Sequence, residues 1–269
     1  MSPQDLFNIN HKMTSFISYS QYKRQYVLNE TYESYVELKQ LAKDIFDAYE
    51  KGDILINKMY YIQSFTKRNY NVINNLLNAN IGISIYNENE WRKGSTRGVF
   101  NPPSEYDDSE TKRYGINHPN GYIIIYKMSL HTLIHELQHA YDHLVSKGKF
   151  SHTKIGYKER KFFDRPVKLT YTSDEERDKQ FKEYDELYRK LYFRSPHELS
   201  ANFIGTLNDI NFFIDEKEMV LRNFREVYDE FIEKFKGYHH LTPKDKKILA
   251  RKFSQYYYKL KERKIDALP

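Results

Sequence analysis

The stretch from Ser129 to Leu144, SLHTLIHELQHAYDHL, decides how the rest of this 269-residue chain folds around it. It contains His135, Glu136 and His139 in the pattern His-Glu-x-x-His. Residues four apart on a helix lie on the same side, about 6 Å apart along the axis. Two imidazoles at that spacing can hold one Zn²⁺ ion, and the glutamate after the first can take a proton from a water on the metal. The pattern therefore predicts a helix that carries a metal site.

The same helix has a second, apolar side that fits a packed core, formed by Leu133, Ile134, Leu137 and Ala140. Its polar side carries histidines at four-residue steps, at positions 131, 135, 139 and 143. Each step of four advances about 400°, so the stripe drifts by about 40° per step and the four rings cannot all reach one ion. Only the middle pair has the glutamate directly after its first member. His131 and His143 are therefore predicted to be surface or supporting groups.

Composition limits the kinds of site that the chain can build. There is no cysteine, so a metal must be held by nitrogen and oxygen ligands, and no disulfide framework can form. The net charge is +6, but the basic residues are dispersed among acidic ones along the chain. This dispersion indicates a solvated surface, and we expect no specific binding of nucleic acid. The sequence gives no signal for an oligomeric state.

The sequence also shows none of the usual signals for export or membrane insertion. The first residues, MSPQDLFNINHKM, have neither a basic region nor an apolar region of the kind found in secretory signals. No apolar run approaches about 18 residues, so we expect no membrane span. A cytoplasmic location is the expectation, and release by lysis or by a specialised route would leave no mark in such a sequence.

The first half of the chain reads as helices followed by a small sheet. Periodic apolar residues predict a helix over Thr31–Lys51 and a second over about Ile54–Leu77. The period then changes to two, and about three strands are expected between residues 81 and 127: Ile81–Tyr86, a short strand at Val99–Phe100, and Gly121–Lys127. The last of these leads directly into the His-Glu-x-x-His helix.

The second half is predicted to be helical. Helix-start signals and apolar spacing predict helices over about Ser173–Tyr192, Ser195–Phe213, 216–236 and 243–262. The expected fold class is α+β and mostly helical. We expect an N-terminal helical region (1–80), a core with the sheet and the metal-site helix (81–215) and a C-terminal helical region (216–269), which could also form one compact domain.

A catalytic zinc ion usually has three protein ligands and a water, so the two histidines need a third partner. The candidates downstream are His152, His197, Glu198 and the pair His239-His240. Glu198 begins an apolar-spaced helix, and Ala201 would let that helix pass close to the first one. The alternative for Glu198 is a capping box with Ser195, in which its carboxylate binds the backbone N–H of that residue.

These motifs resemble those of the gluzincin branch of zinc metallopeptidases. The shared features are HELQH on a helix after an apolar strand and a glutamate in a Glu-x-x-Ala setting on a second helix, within residues 81–213. The resemblance implies a zincin-like core in which His135, His139 and Glu198 bind one Zn²⁺. It also implies that Glu136 is the general base. The oxyanion donor is often a tyrosine or histidine in such enzymes, and the candidates are Tyr157, Tyr188, Tyr192 and His197.

The resemblance implies a zinc-dependent metallopeptidase that hydrolyses peptide bonds by metal-activated water. Its substrate would be a peptide or protein, and one specific protein is the expectation if the chain is of the phage, toxin or effector type. The strand Gly121–Lys127 is expected to offer its edge to an extended substrate. The alternative is a helical binding or scaffold protein with a structural or vestigial metal site. Stoichiometric zinc with an open coordination position would favour the enzyme.

Overall fold

The computed structural model describes residues 31–86, 97–103, 120–146, 196–210 and 222–265, and single positions between 175 and 194. Its helices are α1 (Tyr32–Glu50), α2 (Asn74–Leu77), α3 (Leu130–Val145), α4 (Pro196–Asp209), α5 (Phe224–Lys234) and α6 (Pro243–Ile265). Its strands are β1 (Met59–Tyr61), β2 (Gly82–Ile85), β3 (Gly98–Asn101) and β4 (Tyr122–Ile125). The expected α+β fold, mostly helical with a small mixed sheet, is confirmed.

The sheet has the strand order β1-β2-β4-β3. Strands β2 and β4 are parallel, whereas β1 and β3 pair antiparallel on the two outer sides. The run YIII of β4 is buried along its whole length, as expected of a central strand. The prediction that the strand Gly121–Lys127 offers its edge to a substrate is wrong, because β2 and β3 occupy both of its edges. Within the described residues, the outer edges of the sheet belong to β1 and β3.

The second predicted helix, over Ile54–Leu77, is also wrong. This stretch forms β1, a 3₁₀ turn at Ile62–Phe65 and only the single α-helical turn of α2. Its apolar and aromatic residues pair with β2 in the register Met59↔Ser84 to Tyr61↔Gly82, and such cross-strand packing overrides a helical pattern. The segment before α2 is held by Glu37, whose carboxylate accepts hydrogen bonds from the backbone N–H groups of residues 71, 72 and 73. The sheet therefore has four strands rather than about three.

Helix α3 forms as its sequence predicts. Its N-cap is Ser129, whose hydroxyl accepts a hydrogen bond from the backbone N–H of Thr132. The four residues of the predicted apolar side, Leu133, Ile134, Leu137 and Ala140, are fully buried. They join a core that α1 lines with Tyr35, Leu38, Leu41 and Ile45. The side of α3 that carries the histidines therefore faces away from this core.

Helix α4 is buried over its whole run from Glu198 to Asn208. It runs in the opposite direction to α3, because Glu198 lies beside His135 and His139 whereas Asp209 lies beside His131. Its far side packs on α5 and α6 through a cluster of aromatic rings, formed by Phe203, Phe231, Phe253 and Tyr256. Because this run of α4 is buried, its polar side chains need hydrogen-bond partners within the protein.

One hydrophobic cluster contains residues from all three predicted regions, from Tyr32 to Leu260. The division into regions 1–80, 81–215 and 216–269 stays a prediction. The two last predicted helices correspond to α5 and α6. Helix α5 begins only at Phe224, after the non-helical residues 222–223, whereas α6 begins at the predicted residue 243 and ends at Ile265. None of the helices in the described part of the chain combines the length and the apolar character that a membrane crossing requires.

Candidate metal centre

Helices α3 and α4 bring the three predicted metal ligands together. The Nε2 atoms of His135 and His139 lie 3.0 Å apart. Each of them is 3.5 Å from one carboxylate oxygen of Glu198, which belongs to the first turn of α4. The three ligand atoms all lie within 4.8 Å of one another, so these side chains could hold one metal ion. These three side chains, which are up to 63 positions apart in the sequence, were predicted to converge, and they lie together in the fold.

The distances fit a small tetrahedral ion. Bonds of about 2.0–2.1 Å in a tetrahedral zinc site place neighbouring ligand atoms about 3.3 Å apart. The measured separations of 3.0 and 3.5 Å lie on either side of this value. The Glu198 side chain is only 1% exposed, and a buried carboxylate is costly unless a cation or hydrogen-bond donors balance it. Two imidazole nitrogens and a carboxylate are ligands of the type that zinc accepts.

Without a metal, protons must take the place of the cation. Burial lowers the pKa of His135, but the hydrogen bond with Glu198 and the negative charges of Glu136 and Glu198 outweigh it, so the net pKa is raised. Because the two Nε2 atoms lie at hydrogen-bonding distance, one ring donates to the other. The Nδ1 atom of His135 is buried and has no hydrogen-bond partner among the described residues. Metal binding therefore has to displace a proton that this cluster favours.

Glu136, the predicted general base, lies between α3 and β3. Its side chain is buried, and the residue is 5% exposed. A Cβ atom added to Gly98 would lie 3.0 Å from Glu136 Cγ, 3.1 Å from its Oε1 and 2.7 Å from Thr132 Cγ2. Gly98 is therefore required for space, since no side chain fits between the strand and the base. This role of Gly98 was not predicted from the sequence, where the only signal is a glycine at the start of a short apolar strand.

A second histidine–carboxylate pair lies one turn away on the same two helices. Nδ1 of His131 is 2.8 Å from Oδ2 of Asp209, at the end of α4. The His131 ring is stacked on that of His135, with centroids 6.2 Å apart and planes inclined by 14°. A Cβ atom on Gly205 would lie only 2.7 Å from His131 Cε1. His131 is thus a supporting group, and Asp209 and Gly205 are partners that sequence analysis did not find.

The fourth histidine of the stripe, His143, packs against Phe100 of β3, with ring centroids 5.6 Å apart. His239 and His240, which were candidates for the third ligand, form a 3₁₀ turn in which the His240 ring stacks on Phe193 at 5.5 Å. The two remaining histidine candidates, His152 and the side chain of His197, both lie outside the described residues. Among the described side chains, the group that could hold a metal ion thus consists of His135, His139 and Glu198.

The oxyanion donor stays a prediction. Tyr157 and Tyr188 lie outside the described residues, as does the side chain of His197. Tyr192 is half-buried and contacts the Phe193 ring, with centroids 5.2 Å apart. The capping partner proposed for Glu198, Ser195, is also outside the described part of the chain. The approach of both Glu198 oxygens to the imidazoles favours its role as a ligand.

Comparison with known proteins adds no relative to this geometry. The sequence matches no family model, and neither curated proteins nor solved structures give a match to the chain. The likeness to gluzincins therefore depends on the His-Glu-x-x-His helix and on the carboxylate that α4 brings to it.

Proposed function

We propose that the chain is a zinc-dependent metallopeptidase that hydrolyses peptide bonds, with His135, His139 and Glu198 as ligands of one Zn²⁺ and Glu136 as general base. The single observation that carries this proposal is the approach of a carboxylate from α4 to both imidazoles of α3, at 3.5 Å from each. A glutamate directly after the first histidine adds the group that hydrolysis needs.

Three protein ligands are typical of a catalytic zinc site, since a fourth position stays open for water or substrate. A zinc ion bound there would supply a polarised scissile carbonyl and an acidified water. Glu136 would accept a proton from the attacking water and deliver it to the leaving amine. The burial of Glu136 against β3 keeps its carboxylate aimed at one position.

Strand β3 is the best candidate for the edge to which an extended substrate binds. It pairs with β4 on one side, and it is an outer strand in the sheet order of the described residues. Its first residue, Gly98, lies against Glu136. A peptide added to this edge would form backbone hydrogen bonds with β3 and run past the base. This edge replaces the one predicted for Gly121–Lys127.

The test is to measure zinc content and peptide hydrolysis in the wild-type protein and in the Glu136→Gln variant. We expect about one zinc per chain in both proteins, because residue 136 is not a ligand. Turnover on a mixture of peptides should fall by at least about 1,000-fold in the variant, since general-base catalysis contributes up to about 10⁴-fold. Equal turnover would refute the assigned base. A closed four-ligand site or a purified protein without zinc would favour a scaffold protein.

A further inference from the structure

His135 lacks the contact that usually holds a metal-binding histidine in place. Metal-bound imidazoles almost always donate their second ring N–H to a carboxylate, a carbonyl or a water, and this bond fixes the orientation of the ring. The second ring nitrogen of His135, Nδ1, is buried and has no hydrogen-bond partner among the described residues. Because the torsion that turns an imidazole ring is soft, another contact has to fix the plane of this ring if Nε2 is to point at a metal.

Two other histidine rings of α3 flank the ring of His135. The ring of His131 is stacked on it, with centroids 6.2 Å apart and planes inclined by 14°. The ring of His139 stands nearly perpendicular to it, with centroids 4.6 Å apart and planes inclined by 88°. Both spacings lie within the range of interacting aromatic rings. His139 is itself a proposed ligand, so His131 is the neighbour that can orient the ring of His135 without binding the ion.

The ring of His131 is in turn fixed by α4. Its Nδ1 atom lies 2.8 Å from Oδ2 of Asp209, and because an ionised carboxylate only accepts hydrogen bonds, Nδ1 is the donor. The same ring lies against Gly205, where an added Cβ atom would be 2.7 Å from Cε1, 2.9 Å from Nε2 and 3.0 Å from Nδ1. The ring of His131 therefore fills the space beside a glycine and has no room to shift toward α4.

We propose that His131 and Asp209 form a positioning pair that holds the plane of the His135 ring, in place of a hydrogen bond to Nδ1 of His135. Asp209 fixes the ring of His131 by hydrogen bonding, and His131 fixes the ring of His135 by stacking. Neither residue belongs to the group that could hold the ion, so the pair acts through His135. This role accounts for a histidine one turn before the His-Glu-x-x-His motif. The proposal rests on the metal site of the function proposed above.

The first experiment measures the mobility of the histidine rings by NMR relaxation in metal-free protein with ¹³C-labelled histidine. Two variants separate the two contacts: His131→Asn keeps a donor for Asp209 but has no ring, whereas Asp209→Ala keeps the ring but removes its partner. In both variants we expect the order parameter of the His135 ring to fall by at least about 0.2, on a scale where about 0.85 marks a rigid group and values below about 0.6 a flexible one. An unchanged order parameter would overturn the positioning pair.

A histidine of the same helix serves as the internal control. The ring of His143 packs on Phe100 of β3, about three turns along α3 from His131, and its order parameter should stay the same. Loss of order at both rings would indicate a general loosening of α3 and would also overturn the proposal. Asp229→Ala is the matched control variant, because it removes an exposed carboxylate that pairs with Arg225 on α5.

Zinc affinity, measured by competition with a chelator, tests the pair in a second way. We expect the dissociation constant to rise by about tenfold in His131→Asn, the lower limit for loss of an outer partner, and by no more than about tenfold in Asp209→Ala. Because Asp209 acts through the ring, adding Asp209→Ala to His131→Asn should have no further effect, and losses that multiply would contradict the proposal. A wild-type protein that binds no zinc would refute the proposed function, whereas the ring mobilities of the metal-free protein would still decide on the positioning pair.

Discussion

Histidines of α3 lie beside carboxylates of α4 at two places, and the two places differ in the histidine–carboxylate distance and in burial. His131 and Asp209 lie 2.8 Å apart, which is the length of a direct hydrogen bond. Glu198 lies 3.5 Å from both His135 and His139, at the outer limit of hydrogen bonding but close to the separation expected around a shared cation. The side chain of Glu198 is 1% exposed, whereas that of Asp209 is 37% exposed. The same residue types therefore form a hydrogen-bonded pair at one end of the helices and a candidate metal site at the other.

The largest effect is expected when the buried carboxylate loses its charge. The Glu198→Gln variant keeps the shape of the side chain but leaves zinc with two imidazoles and a neutral amide. We expect the zinc affinity, measured by competition with a chelator, to fall by at least about 100-fold, since removing even an outer partner costs 10–100-fold. Unchanged zinc affinity would show that another residue completes the site.

The two close-contact glycines test the two sides of the site separately. Gly205→Ala would press a methyl group into the His131 ring, and we expect it to lower the free energy of unfolding by about 1–3 kcal/mol, as overpacking does.

Gly98→Ala would displace Glu136 instead, so its kcat should fall by about 100-fold while zinc affinity stays within about threefold. Chemical denaturation, steady-state kinetics and chelator competition distinguish the two outcomes. A Gly98→Ala protein with full kcat would contradict the close contact of β3 with the base.

A smaller effect is expected from breaking the exposed pair. Asp209→Asn should lower the free energy of unfolding by less than about 1 kcal/mol, because water competes for a hydrogen bond that is partly exposed. Zinc affinity should fall by no more than about tenfold, since His131 touches the site only through the ring of His135. Arg225→Ala, which removes an exposed helical ion pair with Asp229, is the control for a general loss of surface charge. A loss of zinc affinity as large as that in Glu198→Gln would remove the distinction between the two pairs.

The smallest effect should come from pH in the metal-free protein. The pKa of His135 is raised above its usual 6.5, so the stabilisation from its protonated form is fully present below that value and is lost as pH rises through the raised pKa. We therefore expect the metal-free protein to lose stability as pH rises above 6.5 through the raised pKa of His135, and zinc affinity to rise over the same range because the proton must leave. Urea unfolding of the wild-type and His135→Gln proteins at several pH values measures this loss of stability. It should be present in the wild-type protein and absent in the variant.

Local patterns were sufficient to predict α3 and the two of its histidines that are candidate metal ligands, because the spacing of four and the apolar side depend only on helix geometry. Glu198 was predicted from the need for a third ligand together with a helix-start signal. Asp209, Gly205 and Gly98 could not be found in this way. Their roles depend on which elements touch, and that is set by packing between distant segments.

The sheet shows the same limit. Strand β4 was predicted from its apolar run. Its central position depends on pairing with β2 and β3, and the sequence of one strand does not specify its neighbours. Residues 54–77 read as a helix because their apolar spacing fits one, yet the pairing of β1 with β2 wins in the fold. Long-range pairing therefore decided both features of the sheet that were not predicted from the sequence.

The most direct measurement is X-ray absorption at the zinc edge on wild-type protein that has been titrated with zinc. The account predicts saturation at one zinc per chain, with two imidazole ligands, further oxygen ligands and bond lengths of about 2.0–2.1 Å. Failure to bind one equivalent, or a zinc bound by a closed set of four protein ligands, would contradict the assignment of a catalytic ion to His135, His139 and Glu198.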